Sequence, residues 1–375
     1  MNHDGSSNID EPRSLRIAQV APLYESVPPK LYGVTERVVS YITEELVRRG
    51  HRVTLFASGD SQTNAELVSG CEQALRMCGH SELGTAMQMA MTAEAYRQAP
   101  GRFDIIHSHV GYWGFPFAQI GGMPTVATMH GRLDDAELRP LFARFSEIPL
   151  VSISDAQRRP LPEMNWCATV SHGLPPDLLS FRPETGEYLA FIGRIAPEKR
   201  PDLAIQIALK SGMPLKIAAK VDAVDRDYFE YRVKPLIRPP HIEYLGEIDD
   251  GDKNEFLGRA RALLFPIDWP EPFGLAMIEA LACGTPVIAR SCGSVPEIIR
   301  HGVTGFHGDD IDDLVGAVRK IGTISRKRCR DEFEQRFTSR KMAENYERVY
   351  QQVIQAHRPK RSAAMERKML AQTSL

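Results

Sequence analysis

Short apolar runs alternate with an amphipathic segment near the start of the chain. Residues 15–20 and 53–57 are apolar runs of strand length, and residues 35–49 between them place apolar side chains on one helical face. Gly50 follows directly, where a glycine commonly ends a helix. This order predicts a β-α-β unit. Further apolar runs are typical of strands buried on both faces of a parallel sheet, at residues 105–109, 125–130, 150–153 and 168–170.

The same alternation begins again after residue 187. It predicts strands at 188–192, 215–219, 242–245, 262–265 and 286–289, with helices at 202–210, at 253–260 and after Glu271. Two consecutive series of this kind predict an α/β protein with two Rossmann-like, doubly wound domains that face each other across a cleft. In open sheets of this class, ligands bind at the carboxyl ends of the strands.

Local composition sets the predicted domain boundaries. Residues 172–187 are rich in Pro and Gly and predict the junction between a first domain at 14–178 and a second at 179–337. The polar residues 1–13 are predicted to be disordered. The last helical pattern covers 338–357. The basic residues 358–375 after it are expected to form a solvated tail, with a weak contact to an anionic membrane surface as the alternative.

The overall composition is that of a soluble globular protein. The 375 residues are 43% hydrophobic and 25% charged, and their net charge of -2 provides no basic field for nucleic acid. Six cysteines are scattered without a Cys-x-x-Cys pair, which argues against a zinc ribbon and a disulfide framework. The N-terminus has no apolar signal core, and no apolar stretch reaches membrane-spanning length, so the cytoplasm is the expected location. The oligomeric state is left open.

Two glutamates, Glu271 and Glu279, bracket a predicted junction between a loop and a helix. Pro272 suits a helix start because its missing N–H is not needed there, and Gly274 leaves the backbone open to a ligand. The unpaired amides of such a start attract a phosphate or another anionic leaving group, here those of Phe273, Gly274 and Leu275. One glutamate can then meet a sugar ring and the other a ribose. A pair of surface glutamates on an amphipathic helix is the alternative.

Two cations stand at the start of the second series. Gly193 ends a predicted strand, so Arg194 projects from its carboxyl edge, and Lys199 stands just before the next helix. Arginine offers a planar fork and lysine a compact charge, so the two can bracket a diphosphate. A charge pair about 4 Å apart in a partly shielded cleft is worth on the order of 4 kcal/mol before desolvation. The alternative is a solvated basic loop.

These motifs together resemble glycosyltransferase family 4, whose members are retaining enzymes with the GT-B fold. The Glu-x7-Glu pair belongs to a more specific string at 265–274, Phe-Pro-Ile-Asp-Trp-Pro-Glu-Pro-Phe-Gly, and the Gly-Arg-x-x-x-x-Lys clamp precedes it in the family's order. With Pro-Pro-x-x-Tyr-Gly at 28–33, the chain is similar to a bacterial subgroup of the avilamycin-pathway type. The resemblance covers about residues 15–350. It implies that the last helix crosses back to brace the first domain.

The resemblance also implies roles for the motif residues. Arg194 and Lys199 would hold the diphosphate of a nucleotide sugar and stabilise charge as the glycosidic bond breaks. Glu279 would hold the ribose hydroxyls, since a carboxylate accepts two hydrogen bonds. Glu271 would orient the sugar hydroxyls. The amides near the helix start would assist at the sugar and the phosphate.

Further contacts follow from the same resemblance. His130, at the end of a predicted strand, would contact the donor sugar, with a strand-capping histidine as the alternative. The backbone of Gly246 and Glu247 would meet the nucleobase. Gly33 should let the first-domain loop approach a phosphate or the acceptor. The second glycine usual there is Val34 in this chain, which disfavours positive φ, so we expect a narrower acceptor site or weaker phosphate contacts.

Two histidines alternate on the predicted strand 105–109 and therefore share a face. His107 and His109 could ligate a metal, but no third ligand is evident, so an acceptor or structural hydrogen-bonding role is preferred. Ser154 follows another predicted strand and either lines the acceptor side or caps a short helix.

The predicted reaction is the transfer of a hexosyl unit from a UDP- or GDP-sugar to an acceptor hydroxyl. No cofactor or metal ion is expected, since no Asp-x-Asp motif is evident. A sugar-nucleotide epimerase of similar fold and a non-catalytic sugar-nucleotide-binding protein are the alternatives. A glycoside hydrolase has no use for Arg194 and Lys199, and a nicotinamide dehydrogenase needs Gly-x-Gly-x-x-Gly after a strand.

Overall fold

The structure, a computed structural model, describes residues 14–30, 33–78 and 81–372, without the side chains of 78, 81, 82 and 358–372. Within these residues the chain forms a seven-stranded and a six-stranded sheet, both parallel. The predicted two doubly wound domains are therefore confirmed. The chain passes from one sheet to the other between residues 169 and 188, which contains the predicted junction. The predicted disorder of residues 1–13 lies outside the described residues.

The first sheet has the strand order β3-β2-β1-β4-β5-β6-β7. Its inner strands are largely buried on both faces because helices cover both sides, whereas its two edge strands are partly exposed. They are β1 (Arg16–Val20), β2 (Arg52–Ala57), β3 (Glu66–Ser69), β4 (Ile105–Ser108), β5 (Thr125–Thr128), β6 (Leu150–Ser152) and β7 (Trp166–Thr169). The helices are α1 (Val34–Arg48), α2 (Leu75–Cys78), α3 (Ser81–Gln98), α4 (Phe115–Ile120), α5 (Arg139–Arg144) and α6 (Asp155–Arg158).

The second sheet has the order β10-β9-β8-β11-β12-β13. Its strands are β8 (Tyr188–Arg194), β9 (Leu215–Lys220), β10 (Ile242–Gly246), β11 (Ala260–Phe265), β12 (Val287–Arg290) and β13 (Gly305–Gly308). The helices are α7 (Pro201–Ser211), α8 (Arg226–Tyr228), α9 (Asp250–Gly258), α10 (Leu275–Ala282), α11 (Val295–Ile298), α12 (Ile311–Lys320), α13 (Arg326–Arg336) and α14 (Ser339–Gln372). In each sheet the strand order reverses beside the first strand, β1 or β8, and such reversals open a crevice at the carboxyl edge.

Helix α14 returns to the first domain, as expected for the last helix. Glu347 receives hydrogen bonds of 2.6 and 2.8 Å from Arg49, which follows α1. The Tyr350 hydroxyl lies 2.8 Å from His107 on β4. The backbone remains helical through Gln372, so the helix extends beyond its predicted end at 357, while the solvated character of the basic segment stays a prediction. None of the helices in the described ranges combines the length and the apolar character required to span a bilayer.

Candidate active site

A cavity of about 520 Å³ lies between the carboxyl edges of the two sheets. Ordinary ligand pockets have volumes of roughly 300–1,000 Å³. Both domains contribute to the wall, as expected for a ligand site at facing strand ends. Of the predicted site residues, all of which the structure describes, only Gly246 lies outside the wall, which includes Gly33, His130, Arg194, Lys199, Glu247, Glu271, Phe273, Gly274, Leu275 and Glu279.

The turn before α10 depends on Gly274. This residue is the N-cap of the helix with φ of 85°, and a Cβ there would stand 2.7 Å from Cζ of Phe265. A side chain would therefore be both strained and obstructed. Because the left-handed turn falls at Gly274, the helix begins at Leu275, and the expected start at Pro272 is wrong. Phe273 and Gly274 thus precede the helix, so only the third of the three predicted amides belongs to its first turn.

The loop that carries Glu271 rests on a second glycine that the sequence reasoning missed. Gly293 has φ of 57°, and a Cβ on it would approach the backbone N and O of Glu271 to 2.4 Å. The next residue, Ser294, donates its N–H to the Glu271 carbonyl at 3.0 Å and its hydroxyl to the Phe273 carbonyl at 2.8 Å. The absence of a side chain at Gly293 therefore lets two loops pack backbone to backbone and fixes the position of Glu271.

The Glu271 carboxylate accepts two hydrogen bonds on one oxygen. Lys199 Nζ and Trp269 Nε1 each donate to Oε2 at 2.7 Å. Lys199 also lies 5.0 Å from the centre of the Trp269 ring. The guanidinium of Arg132, from the loop after β5 in the first domain, lies 4.9 Å from the same ring centre. Trp269 therefore orients the carboxylate and joins the two domains, a role that the sequence reasoning did not assign.

Arg194 is surrounded by carboxylates at the end of β8. It forms ion pairs with Glu198, with Asp225 at 3.4 Å and with Asp222 at 3.8 Å. Lys220 from β9 lines the cavity beside them and pairs with Asp222 at 3.0 Å. An anionic ligand at this edge would therefore compete with these carboxylates for the arginine fork.

A chain of ion pairs leads from Glu279 across the cleft. Glu279, in the second turn of α10, accepts a hydrogen bond from Lys253 on α9 at 2.8 Å. Lys253 also pairs with Asp250 at 3.1 Å, and Asp250 pairs with Arg37 on α1 of the first domain. All four side chains line the cavity. The sequence predicts helices that contain Arg37 and Lys253 but gives neither residue a role, because their partners are distant in the chain.

Two histidines, His130 and His172, line the cavity, and His109 lies behind His130. His130 Nε2 lies 2.9 Å from His109 Nδ1, and His109 Nε2 lies 2.7 Å from Gln19. Burial lowers the pKa of His130 to about 4, so the ring is neutral at physiological pH. His172, at the domain junction, stacks on His130 with 5.3 Å between ring centres and was not predicted.

His107 and His109 have structural hydrogen-bonding positions. His107 lies between the hydroxyls of Tyr350 and Thr128, at 2.8 and 2.7 Å. Burial lowers the pKa of both histidines well below the ordinary value. No group of three or more His, Cys, Asp and Glu among the described residues is arranged to hold a metal ion. The hydrogen bonds of the two histidines fit the structural role, while the acceptor role stays a prediction.

The loop at Gly33 has no left-handed backbone conformation at either Gly33 or Val34. Gly33 has an extended backbone with φ of 175°, and a Cβ there would meet Pro29 at 2.8 Å. Val34 is the first residue of α1, and Arg200 is the one non-glycine residue with positive φ in the described ranges. Val34 therefore needs no positive φ, while the narrower acceptor site or weaker phosphate contacts expected from it stay predictions. Its side chain does line the cavity.

Ser154 caps α6 and also contacts the second domain. Its hydroxyl oxygen accepts from the Gln157 N–H at 3.0 Å and donates to the Pro272 carbonyl at 2.6 Å. The carboxylate of Glu297 on α11 accepts from the amides of Asp155 and Ala156, both at 2.7 Å. The predicted capping role is thus confirmed. The bond to Pro272 joins the first domain to the loop that carries Glu271, and the bonds to Glu297 join it to α11.

Comparison with known proteins gives consistent matches over both domains. Residues 180–337 match the family model for glycosyl transferases group 1, and residues 35–179 match the one for glycosyltransferase family 4. D-inositol 3-phosphate glycosyltransferase of Kribbella flavida is 27% identical over 308 residues, which cover 65% of this chain and 68% of the relative.

Solved structures share the whole architecture. AviGT4, a glycosyltransferase involved in avilamycin A biosynthesis, has a TM-score of 0.69 at 21% identity, over 91% of this chain and 98% of its own. HepE of Anabaena, in complex with UDP and glucose, has a TM-score of 0.70 at 17% identity, over 90% of this chain and 100% of its own. At these identities the likeness concerns the fold, and it agrees with the two facing domains described above.

Proposed function

On the premise that this chain belongs to glycosyltransferase family 4 and has the GT-B fold, we propose that it moves a hexosyl unit from a nucleoside diphosphate sugar to an acceptor hydroxyl. The transfer retains the anomeric configuration and needs no metal ion. One observation carries the proposal. A single cavity gathers the cations Arg194 and Lys199, the N-terminus of α10, and the carboxylates Glu271 and Glu279. The cations and the helix N-terminus suit a diphosphate, and the carboxylates suit the hydroxyls of a sugar and a ribose.

The diphosphate lies at the carboxyl edge of β8 in this proposal. Arg194 exchanges part of its contact with Glu198, Asp222 and Asp225 for phosphate oxygens, which accept the same forked hydrogen bonds. The amide of Leu275, the first residue of α10, supplies a further donor at the N-terminus of the helix. Positive charge from side chains and helix thus replaces the divalent cation that a diphosphate otherwise attracts.

The hexosyl ring lies between Glu271 and His130. Lys199 and Trp269 both donate to Oε2 of Glu271, so its other oxygen, Oε1, is left to accept from sugar hydroxyls. The Nδ1 atom of His130 is buried and has no hydrogen-bond partner among the described residues. A buried polar atom without a partner costs roughly 1–3 kcal/mol, and a sugar hydroxyl would remove that cost.

Retention follows from attack on the face that the phosphate leaves. As the bond between the anomeric carbon and the phosphate oxygen breaks, negative charge grows on the phosphate, where Arg194 and Lys199 stabilise it. The acceptor oxygen bonds to the anomeric carbon on that face, and its proton passes to the departing phosphate. Every atom is thereby accounted for without a protein nucleophile.

UDP-sugars are the first donors to test, with GDP-sugars as the alternative. HepE of Anabaena, which shares the fold, is in complex with UDP and glucose. The Kribbella relative is a D-inositol 3-phosphate glycosyltransferase, so a ring hydroxyl of a sugar or a cyclitol is the acceptor class of first choice. The matches over both domains are to glycosyltransferase models and do not favour the epimerase or the non-catalytic alternative.

The direct experiment is a panel of UDP- and GDP-sugars, assayed for release of the nucleoside diphosphate with and without EDTA. We expect release with at least one donor, unaffected by EDTA, and a product of unchanged anomeric configuration by NMR. Arg194→Ala should lose most of this activity, whereas Arg319→Ala, an exposed arginine on α12, should keep it. No release from any donor, or equal activity of the two variants, would contradict the proposal.

A further inference from the structure

The carboxylate of Glu279 shares its position with a lysine. Lys253 Nζ donates to Oε1 of Glu279 at 2.8 Å, and both side chains line the cavity. The lysine side chain is 15% exposed and that of the glutamate 7%, so the pair is largely removed from bulk water. No described residue donates a hydrogen bond to Oε2, the other oxygen of Glu279. One acceptor atom of this pair is therefore available to a ligand.

The lysine has one donor to spare as well. An ammonium group carries three N–H bonds, and the described partners of Lys253 are two, Glu279 at 2.8 Å and Asp250 at 3.1 Å. Burial by itself lowers the pKa of Lys253, but the two carboxylates outweigh it and raise the pKa above the ordinary value. The group is therefore charged throughout the physiological range and keeps all three N–H donors, one of which has no partner among the described residues.

An acceptor and a donor side by side match one chemical group, a hydroxyl. A hydroxyl donates one hydrogen bond and accepts others, so a ribose hydroxyl can donate to Oε2 of Glu279 and accept from Lys253. We propose that Lys253 contacts the ribose directly and, together with Glu279, makes the site select ribonucleotides over deoxyribonucleotides. This inference rests on the proposed function, because it assumes that a nucleoside diphosphate occupies the cavity.

The position of Lys253 is set from the first domain. Asp250 holds the ammonium from one side and is itself paired with Arg37 on α1. The two carboxylates fix the direction of two N–H bonds, which directs the third. Selectivity is expected from such a site because a nucleotide without the hydroxyl leaves a buried acceptor and a buried donor unpaired.

The experiment is calorimetric titration of the full chain with UDP, GDP and ADP, followed by the 2′-deoxy and 3′-deoxy forms of the best binder. We expect the wild-type protein to bind one deoxy form at least about tenfold more weakly than the ribo form. Lys253→Met should lower that ratio at least about fivefold, because it removes one of the two contacts to the hydroxyl. Lys234→Met, which removes an exposed lysine paired with Glu230, should leave the ratio unchanged.

The ratio of the affinities for the ribo and deoxy forms distinguishes recognition of the ribose hydroxyl by Lys253 from a merely structural ion pair. If Lys253→Met weakens the binding of the ribo and deoxy forms equally, the lysine only neutralises Glu279, and the inference is overturned. Lys253→Arg keeps a cation and donors at this position and covers the case in which the methionine variant does not fold. The arginine variant should still prefer the ribo form. If it has a normal melting temperature but has lost that preference, the result also counts against the inference. If none of the three nucleotides binds, the proposed function itself is refuted.

Discussion

Replacing Trp269 by phenylalanine tests how the Glu271 carboxylate is held. The indole N–H donates to Oε2 of Glu271 at 2.7 Å, while the ring lies about 5 Å from the cationic groups of Lys199 and Arg132. Phenylalanine keeps an aromatic ring for both cations but removes the only N–H of the indole. The substitution therefore isolates the hydrogen bond from the packing.

The size of the effect follows from that one bond. A hydrogen bond to a charged group contributes about 1.5–3 kcal/mol, and each 1.36 kcal/mol of transition-state stabilisation is a factor of ten in rate. With Lys199 still bound to Oε2, Trp269→Phe should lower kcat/KM about 10- to 100-fold. Most of the fall should be in kcat, because the diphosphate and ribose contacts that dominate donor affinity in this account remain.

Steady-state kinetics with a saturating acceptor would measure this, and Trp166→Phe is the matched control. Trp166 also donates its indole N–H, to the Leu161 carbonyl at 2.8 Å, but it does not line the cavity. The control should lose some stability and keep normal kinetics. Equal kinetic constants for the wild-type protein and Trp269→Phe would refute the reasoning, as would a loss confined to the donor KM.

Three further outcomes follow from the structure. Arg326→Met should lower the free energy of unfolding by about 3–5 kcal/mol in urea titrations, because four backbone carbonyls and a hydroxyl lose the buried guanidinium that donates to them. A change below about 1 kcal/mol would contradict this. Asp250→Asn should raise the donor KM several-fold, because it weakens the ion pair with Arg37 across the cleft. Arg37→Met removes the same ion pair, so an unchanged donor KM in that variant would contradict the prediction. Because the pKa of His130 is about 4 in the folded protein and about 6.5 in an unfolded chain, stability should fall as the pH drops from 6.5 towards 4, by about 1.4 kcal/mol per unit of pKa difference. His130→Asn should make that fall less steep, and an identical slope would contradict it.

The interior of both domains could be predicted from the sequence because buried parallel strands are apolar without interruption. The sequence did not predict β3 and β13, because these two strands are not continuously apolar. β3 lies at the edge of its sheet with exposed Glu66 and Ser69, and β13 is a short strand with a glycine at each end. Neither presents a continuous apolar run, so only their pairing with β2 and β12 identifies them.

Motif spacing located the cavity, but it could not supply the partners of the motif residues. Glu271, Lys199 and Glu279 were found because they stand at predicted strand ends and helix starts and because the family resemblance assigns them roles. Trp269 stood inside the quoted string without a role, since its hydrogen bond becomes visible only when the loop is folded. Lys253 is separated from Glu279 by a strand and a loop, and no local pattern connects the two.

The most direct test of the account is a crystal structure of the protein with UDP bound. Phosphate oxygens should lie within about 3.2 Å of Arg194 and Lys199, with the ribose hydroxyls between Glu279 and Lys253. A UDP molecule found outside this cavity, or bound within it with the ribose turned away from Glu279, would contradict the central claim.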